Sequence, residues 1–437
     1  MKVCRRWRYL ILGSAIYLNL RLVCSPGTPV AEMLAHSPSF PLIIFHDDND
    51  RDLTPEAEGR IMFALENRDR VQRIYLMVSL PSLQKVIMAI GGQFPLLEFL
   101  HIIAPFGHNA HVVLPATFRA PRLNYLVLKH FTSPIGPPLL TTSVSLVKLS
   151  LQWIRPSKNL YPDHLFQVLS LLPQLQDVEI SFSSPIPKRE IERHTSRMPN
   201  ITHTTLPNLR TFLFDGVSAY LEALLSHTNA PLLELLSLSF SNQLSFSVPH
   251  LSQFVAATEN PRLSSLRFFF YHKAVAAFMP LFKTALYIGV RCGHLDWQVS
   301  SMAQIFNVLC PLFSTVADLT LDYRSHTLSS EWHNQADRTQ WRKLLRPFRN
   351  VETLRVHDGL VGEISRCLAL DGEPASEVLP ELKTLVCPMG SRDNRTFATF
   401  VHDREVAGLP INLIEQAFPA GQVDYTFETP AGKEYIN

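Results

Sequence analysis

The sequence predicts an α/β fold, an irregular solenoid of repeats with a parallel sheet on the concave side and helices outside. Three observations carry that reading: a short apolar template recurs, proline holds a fixed place in it, and the stretches between copies are patterned as helices. The template has apolar residues at relative positions 0, 3 and 5, with proline two residues before the first. It occurs as Pro95 with Leu97, Leu100 and Ile102, as Pro121 with Leu123, Leu126 and Leu128, and as Pro173 with Leu175, Val178 and Ile180. Four more copies keep the proline, at Pro207 (Leu209, Phe212, Phe214), Pro231 (Leu233, Leu236, Leu238), Pro261 (Leu263, Leu266, Phe268) and Pro380 (Leu382, Leu385, Cys387). Copies without it begin at Val71, Leu146, Val316 and Val351, and weaker ones at Ala15, Phe40 and Ala285.

Apolar spacing alone is a weak signal, because at 46% apolar content roughly one window in ten matches by chance. The proline register is stronger. Proline supplies 32 of 437 residues yet fills seven of the eleven firm copies. Its locked φ and missing N–H suit a strand entrance, and it stops a preceding helix. The loosely kept distance between copies is leucine-rich-repeat spacing.

Between the triplets, Thr54 to Asn67 reads as a helix with an N-cap threonine and Pro55 at the first helical position. Its apolar face is expected from Ile61, Leu65 and the Met62/Phe63 pair. Leu80 to Ile90 is a second helix, stopped at Gly91 and Gly92. Further helices are expected over Asp163–Leu172, Ser218–His227, Pro249–Thr258, Val299–Leu309, Thr339–Leu345 and Leu360–Leu370. Strand, helix and next strand in one direction imply parallel pairing, here one continuous parallel sheet from Val71 to Cys387.

In that arrangement positions 0, 3 and 5 point into the core, and positions 2, 4 and 6 face the open concave side. Position 4 reads Tyr75, His101, Val127, Ser150, Glu179, Leu213, Ser237, Arg267, Thr320, Arg355 and Val386, chemically mixed as an exposed face should be. Aspartate at Leu126 should then be costly and at Val127 cheap. Candidate partner contacts on this face are Tyr75, His101, Lys129, Glu179, Arg267, Arg291 and Arg355. One departure stands out: an asparagine three residues after the last core leucine is absent, and Pro105, Phe131, Ser183, Val217, Ser241 and Tyr271 hold those sites. The turns must satisfy their backbones in another way.

Charge and composition narrow the function classes. Forty Lys and Arg against 38 Asp and Glu leave a net charge of +2, so nucleic-acid binding by bulk electrostatics is not expected. Cys4, Cys24, Cys292, Cys310, Cys367 and Cys387 form no C-x-x-C pair, which points to a reducing compartment, cytoplasmic or nuclear. Lys2, Arg5, Arg6 and Arg8 ahead of the apolar stretch Tyr9 to Leu20 imitate a signal peptide, but Asn19 and Arg21 interrupt it and Cys24 to Thr28 lacks A-x-A. The alternative is a secreted or surface leucine-rich-repeat protein, for which Asn200 and Asn394 would be glycosylation acceptors. No run of 18 apolar residues marks a membrane span.

Catalytic signatures are missing: no G-x-S-x-G, no phosphate-binding G-x-x-x-x-G-K-[ST], no G-x-G-x-x-G and no H-E-x-x-H occurs. The chain is therefore expected not to be an enzyme and to hold no cofactor. His101, His108 and His111 lack a completing cysteine or carboxylate and read as loop or strand histidines, not metal ligands. Asp48, Asp50 and Asp52 alternate like a calcium loop, but Leu53 takes the glycine position and Gly59 that of the bidentate glutamate, so a solvated turn is expected. Trp297 and Trp341 are expected in the core, and Phe269, between Phe268 and Phe270, on the open face.

Four stretches carry a family likeness. Val3–Arg8 (VCRRWR) followed by LILGS resembles the closing helix of an F-box, with Cys4, Trp7 and Leu10 at the matching positions. HLDWQVSSMAQIF (His294–Phe306), TQWRKLLRPFRNVETL (Thr339–Leu354) and RDLTPEAEGRIMFALENRDRVQRIYL (Arg51–Leu76) are similar to repeats of the F-box and leucine-rich-repeat proteins of mushroom-forming fungi. The resemblance implies a substrate receptor of an SCF-type ubiquitin ligase, whose F-box docks a Skp-type adaptor while the repeats hold a target protein. Only the last F-box helix is expected here, so adaptor binding is expected only if the missing helices are restored upstream. The implied organisation is an F-box remnant over 1–14, a solenoid over 15–393, and a C-terminal helix and tail over 394–437.

Overall fold

A computed structural model describes Cys4 and residues 21–25, 27–36, 40–47, 53–105, 112–132, 137–156, 160–195, 204–241, 243–257, 263–280, 285–324, 337–357, 359–368, 377–390 and 395–417. Trp7, Leu10, His108, His111 and Asp48 to Asp52 lie outside the described residues, as do Asn200 and Asn394. The chain is mixed α/β and divides into two units, one formed up to Thr211 with His227–Ala230, the other by Phe212–Ser226 and the chain from Pro231 onward.

The sheet of the first unit runs in chain order through β1 (Leu22–Cys24), β2 (Leu42–Asp47), β3 (Val71–Met77), β4 (Phe99–Ile103), β5 (Tyr125–Lys129), β6 (Lys148–Ile154) and β7 (Asp177–Phe182), with every pairing parallel. Two short strands, β8 (Thr204–Thr205) and β10 (Thr228–Asn229), pair separately. From Val71 onward the repeat phase is as read: Val71, Ile74 and Leu76, Leu97, Leu100 and Ile102, and Leu123, Leu126 and Leu128 are all buried, and so are their later counterparts, whereas in the weaker Phe40 copy Leu42, Ile44 and His46 point inward and Ile43 and Phe45 take the other face. Helices Pro55–Glu66, Leu80–Ala89 and Pro162–Ser170 lie between successive strands. Thr54 caps the first by accepting from the Ala57 N–H at 3.2 Å, with Pro55 next to it. Its buried stripe is Ile61, Ala64 and Leu65, while Phe63, expected inward, faces out.

The proline has a different job from the expected one. In five of the units the N–H at position 0 bonds the carbonyl three residues back: Leu97 to Phe94, Leu123 to Ala120, Leu175 to Leu172, Leu209 to Leu206 and Leu382 to Leu379, at 3.1 to 3.3 Å. Proline is thus the second residue of a β-turn, where its fixed φ is pre-set, and the strand starts four residues later. The missing asparagines are replaced by main chain. One carbonyl accepts twice from the next repeat, as Glu98 O does from the Asn124 and Tyr125 N–H groups, and beyond the strand ends the Arg155 N–H reaches Phe131 O and the Ser183 N–H reaches Ile154 O.

In the second unit the strands are β9 (Thr211–Gly216), β11 (Leu235–Ser241), β12 (Ser265–Tyr271), β13 (Ala274–Pro280), β14 (Ala285–Arg291), β15 (Asp318–Arg324), β16 (Thr353–Val356), β17 (Thr384–Cys387) and β18 (Asn412–Glu415). Their order is β9-β11-β14-β13-β12-β15-β16-β17-β18. The expectation of an all-parallel sheet in chain order fails here, because β13 pairs antiparallel with both β12 and β14. Only His272 and Lys273 separate β12 from β13, and so short a link permits a hairpin but no parallel crossover. The Ala285 copy is a genuine strand, parallel to β11. Past Cys387 the chain adds helix Arg395–Val406 and β18, parallel to β17.

Helix Leu295–Leu309 corrects the reading of Trp297, which is 43% exposed. The buried stripe is Leu295, Val299, Met302 and Phe306, and a residue two places after Leu295 falls on the opposite side. Trp341 is fully buried, as expected. Phe269, by contrast, expected exposed on the open face, is buried, its ring covered by the Arg267 guanidinium at 5.7 Å and flanked by Tyr271. Gly359 has a positive φ of 84°, and a Cβ there would stand 2.5 Å from Tyr323 Cδ1. Gly359→Ala is expected to cost about 2 kcal/mol or more in urea unfolding. A loss below about 0.5 kcal/mol would show that the Tyr323 ring gives way freely.

Candidate interaction surface

Alternation along each strand sends positions 2, 4 and 6 to the face opposite positions 0, 3 and 5, and the parallel register lines them up in rows. In the first unit one row is Ile43, Arg73, Phe99, Tyr125, Lys148 and Asp177. The next is Phe45, Tyr75, His101, Val127, Ser150 and Glu179, and the third holds Asp47, Met77, Ile103, Lys129 and Gln152.

The rings of the first two rows form one contiguous plate. Phe45 stacks on Tyr75 at 5.1 Å, Tyr75 meets His101 edge-on at 4.7 Å, and Phe99 stacks on Tyr125 at 4.5 Å. Cations lie over it, Lys148 Nζ at 4.9 Å from the Tyr125 centroid and the Arg73 guanidinium at 5.9 Å from that of Phe99. Burial lowers the Arg73 pKa, and the neighbouring Arg21 lowers it further. Beyond Val127 the surface turns polar: Glu179 Oε2 accepts from Ser150 Oγ and from Gln152 Nε2, each at 2.7 Å. At the strand ends His130 and Trp153 adopt positive φ of 61° and 54°, with their rings 6.5 Å apart. Burial, and then Lys129, hold the His130 pKa down.

The expectation that position 4 is an exposed face needs correction. His101 is 7% and Val127 3% exposed, and Ser150, Glu179, Leu213, Ser237, Thr320 and Val386 are buried as well. Neighbours in register stand only about 4.8 Å away, so large side chains in adjacent rows cover smaller ones between them.

Of the candidate contacts, Tyr75, His101 and Glu179 share one row and Lys129 lies in the next, all in the first unit. Arg267 and Arg355 share a row in the second unit through Thr320. Arg291 is engaged internally, with Nη2 2.7 Å from Oδ2 of the buried Asp215. Cys4 is exposed. Arg73, Phe99, Tyr125 and Lys148 were not among the candidates; reading position 2 of each repeat, as position 4 was read, finds them.

Among the described residues no three His, Cys, Asp or Glu side chains converge as a metal site, and no helix is long and apolar enough to cross a membrane. The chain matches no model of a known protein family, and no curated protein matches it.

Proposed function

We propose that this chain is a protein-binding scaffold of leucine-rich-repeat type, which presents the sheet face opposite its helices to a target protein. The observation that supports it is the plate of Phe45, Tyr75, Phe99, His101 and Tyr125 under Arg73 and Lys148. Binding energy at interfaces concentrates in aromatic and arginine side chains, whose rigid rings lose little entropy on contact. Interior strands have spent their backbone groups on one another, so recognition falls to side chains and not to strand addition. The resemblance of Cys4, Trp7 and Leu10 to an F-box closing helix adds a role to this reading: a ubiquitin-ligase receptor whose adaptor docks at the F-box while the sheet face holds the target.

A photo-crosslinking residue placed at Phe99, and for comparison at Met88 on the helical side, which is 81% exposed, tests it in an extract of the source cells. A defined protein adduct is expected from position 99 and none from 88. Tyr125→Ala should reduce that adduct about tenfold, the effect of one aromatic hot spot. Equal adducts from both positions would sink the reading.

A further inference from the structure

We infer that the second unit binds an oxyanion, a carboxylate or phosphoryl group carried on an extended polypeptide, between Arg267 and Arg355. This deepens the protein-binding reading and rests on it. Register carries the geometry: Arg267 of β12 is opposite Thr320 of β15, and Thr320 is opposite Arg355 of β16. The two arginines therefore rise from the same face on either side of one hydroxyl, with Cα atoms about 10 Å apart across two strand spacings. From there both guanidiniums can lean over one central group in ordinary rotamers.

Among the described residues neither guanidinium has an acidic partner. Arg267 is steadied from below by the Phe269 ring at 5.7 Å. Two carboxylates share this face of β15, and neither neutralises the arginines. Asp322 is buried and held by His357, with Oδ1 3.1 Å from Nδ1. Asp318, two residues before Thr320, forms no ion pair with either arginine. Asp318 and Asp322 lie two residues to either side of Thr320 along the strand, so an incoming anion is least repelled at the level of the hydroxyl, between the two arginines. Two guanidiniums and a hydroxyl match the three acceptor oxygens of a phosphoryl group, and a carboxylate satisfies fewer of them.

The flanks say what carries the anion. The row continues through Phe278 beside Arg267, and through Val386 and Ile414 beyond Arg355. Phe278 is 37% and Ile414 41% exposed. From Phe278 to Ile414 the row crosses five strand spacings, about 24 Å, the reach of roughly seven extended residues. An acidic residue with apolar neighbours on both sides fits this order of side chains better than a free anion does.

The test uses the full chain and three fluorescein-labelled peptides, Ala-Leu-Ala-X-Ala-Leu-Ala, with X phosphoserine, glutamate or glutamine, followed by fluorescence anisotropy. Binding is expected in the order phosphoserine, glutamate, glutamine, with inorganic phosphate competing. Arg267→Gln and Arg355→Gln should each weaken the anionic peptides about tenfold, as loss of a charge-assisted hydrogen bond does, and leave the glutamine peptide unchanged. Unfolding midpoints equal to the parent's would show both variants folded. Thr320→Val should narrow the gap between phosphoserine and glutamate. Equal binding of all three peptides, or no effect of either Arg267→Gln or Arg355→Gln, overturns the oxyanion site and leaves the protein-binding reading standing. No binding of either anionic peptide at millimolar concentration also overturns it, and the protein-binding reading is then decided by the crosslinks from position 99.

Discussion

Leu126→Asp is expected to cost the first unit more than about 4 kcal/mol, and Val127→Asp, one residue further along β5, about 2 kcal/mol. Leu126 points into the core between sheet and helices and is fully buried, so its replacement puts an unpaired carboxylate and a lost hydrocarbon in the same place. Val127 is also nearly inaccessible, lying between His101 and Ser150 in its row. Aspartate there loses that packing and stands two strands from Glu179, but it lies on the sheet face away from the helices, where Lys129, two residues along the same strand, offers a cation. Urea unfolding of the two variants checks the ratio. Equal losses would mean that the strand phase is wrong, and a loss under about 0.5 kcal/mol for Val127→Asp would mean that in-register neighbours do not cover position 4.

Arg404→Met is the second large effect, with an expected loss of about 3 to 5 kcal/mol confined to the C-terminal strands of the second unit. Arg404, on helix Arg395–Val406, is 1% exposed and lies 5.9 Å from the Phe400 centroid. It donates to Leu379 O and Pro380 O at 3.1 Å, to Leu382 O at 3.3 Å and, through Nε, to Leu409 O at 3.4 Å. One guanidinium thus closes the turn before β17 onto the turn before β18. Leu379 holds a positive φ of 52° in that turn. Burial lowers the Arg404 pKa, yet an arginine so placed stays charged, and methionine would strand several buried carbonyls. Amide exchange of Asn412, whose N–H bonds Lys383 O, should accelerate a hundredfold or more, while exchange in β3 to β6 stays unchanged. Arg404→Lys should rescue little, since an ammonium cannot span the same carbonyls. Uniform acceleration across the chain would refute the local clamp.

Position and type of the main elements were determined by the sequence alone, because they depend on near neighbours. Thr54 with Pro55 starts its helix through local hydrogen bonding and a fixed φ, and the 0, 3, 5 triplets mark strands because a core needs three inward side chains per repeat. Trp341 is legible for the same reason, sitting beside Leu344 and Leu345 on a buried helical stripe, whereas the phase of the helix carrying Trp297 is set by Leu295, which precedes the helical pattern of Val299–Leu309. What depends on partners distant in the chain needed the tertiary structure. Ala274–Pro280 becomes an antiparallel strand only through pairing on both sides, with Phe269 opposite Ala276 and Tyr287 opposite Phe278. The burial of Val127, the plate joining Tyr75 to Tyr125 and the alignment of Arg267, Thr320 and Arg355 arise from register between repeats. Register is a relation between segments tens of residues apart, set by how turns and helices of unequal length pack, and no single segment contains it.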